Sequence, residues 1–167
     1  VPDTLDPAIS PIRTGPLVLV VDDDQPDRIA TTRMVRGLGY PVRSFRQGRD
    51  VLQFIERHPQ VVRALIADLG MSSMDGGELA ERALDADPGL RVALMADLKD
   101  PMVSELLNGY RDMPVLVKPV RFADLYGTLV TLLGPPPHGA APPSVATGSQ
   151  WSRRRTSGHQ QSRGPTD

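Results

Sequence analysis

The sequence predicts a doubly wound α/β domain, a five-stranded parallel sheet flanked by five helices. Three observations predict it. Short apolar runs and amphipathic stretches alternate five times between residues 17 and 133. The clearest runs are continuous rather than alternating, the mark of strands buried on both faces. The 32 glycines and prolines of the 167-residue chain also crowd toward its ends. Residues 1–16 hold four prolines and a glycine, residues 134–167 hold six and five, and the 117 residues between hold seven and nine. The fold is therefore expected in residues 17–133, with a flexible, linker-like leader at 1–16 and a disordered Pro/Gly/Ser-rich tail at 134–167. That tail has one valine and one tryptophan, too little apolar area to offset its ordering entropy.

Each element has its own signal. Residues 17–21, LVLVV, read as a buried strand. Pro26 suits a first helical turn; Ile29, Met34, Val35 and Leu38 mark the helix, and Gly39 closes it. Val42 and Phe45, with Arg43 between them, give a weaker, edge-like strand. Residues 48–58 form a second helix facing inward through Val51, Leu52, Phe54 and Ile55, and Pro59 ends it. Residues 64–67 are a third strand running into Asp68. After a Gly/Ser-rich loop, Leu79, Ala80, Ala83 and Leu84 have helical spacing. Residues 92–95 are the fourth strand. Asp100 then caps a helix with Pro101 at its first position, followed by Met102, Val103, Leu106 and Leu107. Residues 115–117 are the fifth strand and 121–133 the last helix.

Composition removes several classes of function. The chain has no cysteine, which excludes disulfides, thiolate chemistry and Cys-ligated metal sites. Residues 17–133 carry 14 basic and 17 acidic side chains, a poor balance for binding nucleic acid through the core domain. The longest apolar run is far too short to cross a bilayer and no secretory signal opens the chain, so a cytoplasmic protein with no membrane contact is expected. No G-x-x-x-x-G-K-[ST] exists, and the first strand–helix turn is acidic where a dinucleotide site needs G-x-G-x-x-G.

In an open parallel sheet, ligands bind beyond the carboxyl ends of the strands. The first strand delivers Asp22, Asp23 and Asp24 to that rim, the third Asp68, the fourth Ala96 and Asp97, and the fifth Lys118 and Pro119. Any one of these is a weak signal, because acidic residues after strands commonly cap helices and a loop lysine is commonly just solvated. Their convergence is a stronger one. Clustered carboxylates suit Mg²⁺, and a lysine ammonium is a point charge able to meet a phosphoryl oxygen.

Four stretches carry a family resemblance over residues 17–133: Val20-Val21-Asp22-Asp23-Asp24, Asp68-Leu69-Gly70-Met71-Ser72-Ser73-Met74-Asp75-Gly76, residues 92–96, and Val117-Lys118-Pro119. The chain resembles the receiver domain of two-component response regulators. The resemblance implies a flavodoxin-like strand order 2-1-3-4-5, with Asp68 as phosphoacceptor and Lys118 contacting the phosphoryl group. It further implies Mg²⁺ held by Asp22, Asp23, Asp68 and the Gly70 carbonyl, and a cis bond before Pro119. Its implied partner is a histidine kinase or histidine phosphotransfer protein, and its implied role is signalling rather than enzymatic, the domain catalysing only its own phosphorylation and dephosphorylation.

Three positions depart from the family pattern. Ala96 stands where a Ser or Thr hydroxyl usually grips the phosphoryl oxygen, and Val115 where a switch aromatic is usual. Ser72 replaces a proline in the acceptor loop, which is expected to loosen that loop slightly. Phosphorylation is therefore expected to persist with atypical switching. A non-phosphorylated interaction module of the same fold is the alternative. A haloacid-dehalogenase-like phosphatase built on Asp22-x-Asp24 is disfavoured, because Pro26 stands where that family wants Thr or Val.

The last helix carries two apolar stripes, Phe122, Leu125, Leu129 and Leu132 beside Tyr126, Val130 and Leu133, wider than one sheet contact needs. The width reads either as a broad core contact or as a homodimer or partner surface shared with the fourth helix and fifth strand, with Phe122, Tyr126 and Val130 as candidates. In the tail, three arginines at 153–155 beside Trp151 read as solubilising or as a contact for acidic partners, RNA or anionic lipid. His58, His138 and His159 show no ligand spacing. No output domain is expected after residue 133.

Overall fold

The computed structural model describes residues 15–110 and 112–137. In chain order it contains β1 (Leu17–Val21), α1 (Gln25–Gly37), β2 (Val42–Phe45), α2 (Gly48–Arg57), β3 (Val62–Asp68), α3 (Gly76–Ala86), β4 (Arg91–Ala96), α4 (Pro101–Leu107), a 3₁₀ turn at Asn108–Tyr110, β5 (Val115–Val117) and α5 (Phe122–Leu133). The strands form one parallel sheet in the order β2-β1-β3-β4-β5. This is the order implied by the receiver resemblance.

Alternate residues of the central strands divide between two cores. Leu19, Val21, Leu65, Ala67, Val92, Leu94 and Ala96 pack with Val51 and Ile55 of α2, Leu79, Ala80 and Ala83 of α3, and Val103 of α4. Val18, Val20, Ala64, Ile66, Met95 and Leu116 pack with Val35 of α1 and with Leu125 and Leu129 of α5. Helices α2–α4 thus cover one face, and α1 and α5 the other. Both edge strands, β2 and β5, are only partly buried.

Capping fixes the helix starts at the carboxyl rim. The Asp24 side chain accepts from the Asp27 N–H to open α1, Asp75 from the Gly77 and Glu78 N–H groups to open α3, and Asp100 from the Met102 N–H to open α4. Gly39, at φ +93°, takes the left-handed conformation that ends α1.

Two apolar expectations are corrected. Ile29 is 40% exposed; Val35 and the C-cap residue Leu38 are buried as expected, and Thr31 and Thr32 are buried beside them. The threonines are tolerated because their hydroxyls are satisfied: Thr32 Oγ1 donates to the Arg28 carbonyl (2.7 Å) and Thr31 Oγ1 to Met95 Sδ (3.7 Å). Met102 lies in the first turn of α4, 71% exposed, and only Val103 of that helix is fully buried.

The chain leaving α5 packs back on the fold. Tyr40 Oη donates to the Gly134 carbonyl (2.8 Å), Pro136 is buried, and Gly15 lies so near Pro137 that a Cβ there would collide with the ring. Residues 134–137 of the expected tail are thus placed. The remainder of that tail, with Trp151, residues 153–155, His138 and His159, and the leader at 1–14, lie outside the described residues.

Candidate functional site

Register alone brings the site together. Val21 pairs with Ala67, so the residue after β1, Asp22, lies beside the last residue of β3, Asp68. Asp68 pairs with Met95 and Ala96 with Val117, so Lys118 emerges just beyond the end of β4. The Lys118 N–H donates to the Ala96 carbonyl (2.9 Å), and the Lys118–Pro119 bond is cis.

The Lys118 ammonium is the centre of the arrangement. It lies 2.9 Å from Asp22 Oδ2, 3.0 Å from Asp68 Oδ1 and 3.1 Å from Asp27 Oδ2. Asp22 and Asp68 are buried, while Asp27 is half-exposed on the first turn of α1. Asp23 lies at the rim, where one of its oxygens accepts from both the backbone N–H and the hydroxyl of Ser72, each at 3.0 Å. Arg28 closes the other side by donating to the Asp22 carbonyl at 2.7 Å.

Burial and charge oppose each other here. Burial pushes the Asp22 carboxyl up to about 6, with Asp68 adding to the rise and the Lys118 ammonium restraining it. Burial also raises Asp68, against the ammonium and the Gly70 N–H that favour its anion. Burial alone would lower Lys118, but its bonds to Asp22 and Asp68 outweigh that and raise it, so it stays cationic.

The oxygens of Asp22, Asp23 and Asp68 converge within 4.8 Å of one another. Asp22, Asp68 and the half-exposed Asp27 pair with one ammonium and Asp23 adds a further carboxylate beside them, so the rim holds an excess of negative charge. A hard divalent cation with oxygen preference, such as Mg²⁺, fits that donor set. The same geometry leaves a carboxylate oxygen of Asp68 beside a cation, which is what receiving a phosphoryl group requires.

The family model for the response regulator receiver domain matches residues 18–129. The chain belongs to this family. It is 28% identical over 116 residues to the response regulator receiver protein CpdR of Brucella abortus, covering 70% of this chain and 95% of that one. It is 33% identical over 123 residues to the transcriptional regulatory protein PrrA of Mycobacterium tuberculosis, covering 72% of this chain and 51% of that one. The fold is shared with the chemotaxis protein CheY4 of Vibrio cholerae (TM-score 0.61, 22% identity, 71% of this chain and 99% of that one). It is also shared with a CheY-like receiver domain protein from Methanospirillum hungatei (TM-score 0.60, 23% identity, 71% and 93%). The protein is thus a response regulator receiver domain of two-component signalling, a family that works with histidine kinases or phosphotransfer proteins.

The remaining candidate positions fall as follows. Gly70 is exposed in the loop after Asp68, with its N–H toward that carboxylate. Ala96 is fully buried at the end of β4, and Val115 is half-buried on β5. Phe122, Tyr126 and Val130 are half-buried on α5, with Phe122 and Tyr126 packed on the core shared with α1. That contact accounts for part of the broad apolar face.

The expected loosening at Ser72 is corrected. A proline there would have no N–H and no hydroxyl, whereas Ser72 ties the acceptor loop to Asp23 with both. Sequence reasoning also missed Asp27 and Arg28. Counting one helical turn on from the Asp24 cap would have placed both at the rim. It missed Tyr110 as well, an aromatic in the 3₁₀ turn whose ring lies on Gly77 at the start of α3, so closely that a Cβ there would collide with it.

Proposed function

We propose that this receiver domain, residues 17–133, accepts a phosphoryl group on Asp68 from a histidine kinase or histidine phosphotransfer protein. The observation that carries the reading is the Lys118 ammonium bridging buried Asp22 and Asp68, with Asp23 at the same rim. An Asp68 carboxylate oxygen attacks phosphorus, the P–N bond to the donor imidazole breaks, and its electron pair leaves on that nitrogen. Lys118 neutralises charge on the phosphoryl oxygens, and Asp22 anchors Lys118. Mg²⁺, held by Asp22, Asp23, Asp68 and the Gly70 carbonyl, supplies charge neutralisation when bound. Apart from its own phosphorylation and dephosphorylation the domain catalyses nothing.

Ala96 supports atypical switching, because its methyl group cannot donate to a phosphoryl oxygen. The same residue favours a second reading, an interaction module that keeps the fold without phosphorylation. The proposed setting is cytoplasmic; no helix among the described residues is long and apolar enough to cross a membrane. Homodimer formation through α4, β5 and α5 also belongs to this proposal.

Intact-protein mass spectrometry after incubation with Mg²⁺ and acetyl phosphate tests the reading. A single phosphoryl adduct is expected, lost in Asp68→Asn and in EDTA. No adduct from acetyl phosphate or a promiscuous histidine kinase, with the protein folded, favours the interaction module.

A further inference from the structure

We propose that Asp27 is a placeholder anion, holding on Lys118 the position that a phosphoryl oxygen takes, and that its release makes the first turn of α1 the element that responds. The inference rests on the phosphoacceptor reading above. It begins from crowding at one ammonium. Lys118 Nζ forms ion pairs with three carboxylates, Asp22, Asp68 and Asp27, at 2.9, 3.0 and 3.1 Å. A phosphoryl oxygen that reaches this ammonium competes with all three, and the partner that is least costly to release yields.

The three partners are not equivalent. Asp22 is fully buried and would be left as an uncompensated buried charge. Asp68 is the acceptor itself. Asp27 keeps 48% of its side chain exposed, so water takes over its solvation when it leaves. It is also the carboxylate that a phosphoryl dianion on Asp68 would repel without the metal-ligand geometry of Asp22 and Asp23 to compensate.

Its place in the fold makes the release consequential. Asp27 belongs to the first turn of α1, where its own N–H is held by the Asp24 cap (3.0 Å). The next residue, Arg28, is tied to the Asp22 carbonyl at 2.7 Å. Freeing Asp27 therefore removes one of two adjacent tethers between α1 and the sheet and leaves the other as a pivot. Ile29, the exposed apolar residue that follows, moves with that turn. At the end of β4, Ala96 has no hydroxyl with which to pull the loop before α4 toward the phosphoryl group. The geometry thus shifts the response from α4 to α1.

The test uses the full chain with Mg²⁺ and beryllofluoride, a phosphoryl-aspartate mimic, followed by backbone amide NMR. In wild type, shift changes beyond the acceptor loop should concentrate at residues 24–29, with residues 102–107 nearly silent. Asp27→Asn should abolish the α1 changes and take beryllofluoride about two- to fivefold more tightly, the scale of an exposed ion pair. Asp27→Glu should restore both, which a merely structural role for the side chain would not predict. Beryllofluoride-dependent shifts at residues 68–70 with α1 silent, or an Asp27→Asn response equal to wild type, would overturn the proposal. Silence at residues 68–70 as well would instead remove the phosphoacceptor reading, and the placeholder with it.

Discussion

Ser72 donates its backbone N–H and its hydroxyl to one and the same oxygen of Asp23, each at 3.0 Å. A position expected to slacken the acceptor loop instead pins it across to the end of β1. The hydroxyl half of this latch can be removed alone. Ser72→Ala should cost about 0.5–1.5 kcal/mol, the net worth of one hydrogen bond, in urea unfolding with EDTA present. Ser72→Pro, which removes both donors, should cost more. Equal stability of Ser72→Ala and wild type would show that the hydroxyl bond contributes nothing in solution.

Ala96 occupies the end of β4 with no exposed surface, and its carbonyl accepts the Lys118 N–H at 2.9 Å. If the missing hydroxyl is what uncouples α4, Ala96→Thr should enlarge the phosphorylation-dependent chemical-shift changes on α4. Extra heavy atoms in a packed core cost about 1–3 kcal/mol, so the smaller Ala96→Ser belongs beside it. No enlargement in either folded variant would remove Ala96 as the explanation.

Tyr110 and Gly77 form a contact that admits no side chain on the glycine. It joins the turn after α4 to the start of α3, the helix that follows the acceptor loop. Gly77→Ala should destabilise the domain by about 1–3 kcal/mol through displacement of the ring. In a Tyr110→Ala background the same change should be nearly neutral, and a double-mutant cycle reads the difference. Equal costs in both backgrounds would place the strain elsewhere.

The residues that were legible in the sequence share one property: strand geometry alone fixes them. A buried parallel strand announces itself as a continuous apolar run, and its carboxyl end locates Asp22, Asp68 and Lys118 without knowledge of any side-chain direction. Asp27, Arg28 and Ser72 depend on how the first turn of α1 and the loop after β3 aim their side chains, which periodicity does not encode. Ile29 misled for a related reason. Apolarity ranks it above Thr31 and Thr32, yet the threonines bury well once their hydroxyls bond to Met95 and to the Arg28 carbonyl. Tyr110 was hidden because an aromatic in a short 3₁₀ turn carries no periodic signal.

Asp22 also makes the stability of the metal-free domain depend on pH. Its carboxyl is raised by burial from 3.8 to about 6, so the folded state holds the proton more tightly than the unfolded chain. Stability from this group is complete below about pH 4 and is lost as pH rises through about 6. The loss is on the order of 2–3 kcal/mol for a shift of about two units. Asp68 is raised in the same direction. Asp22→Asn cannot ionise, so wild type should lose stability relative to this variant between about pH 4 and pH 6.5 and run parallel to it above. Urea unfolding in EDTA across that range measures the difference. A wild-type curve parallel to the variant throughout would mean that the Lys118 ammonium fully offsets the burial of Asp22.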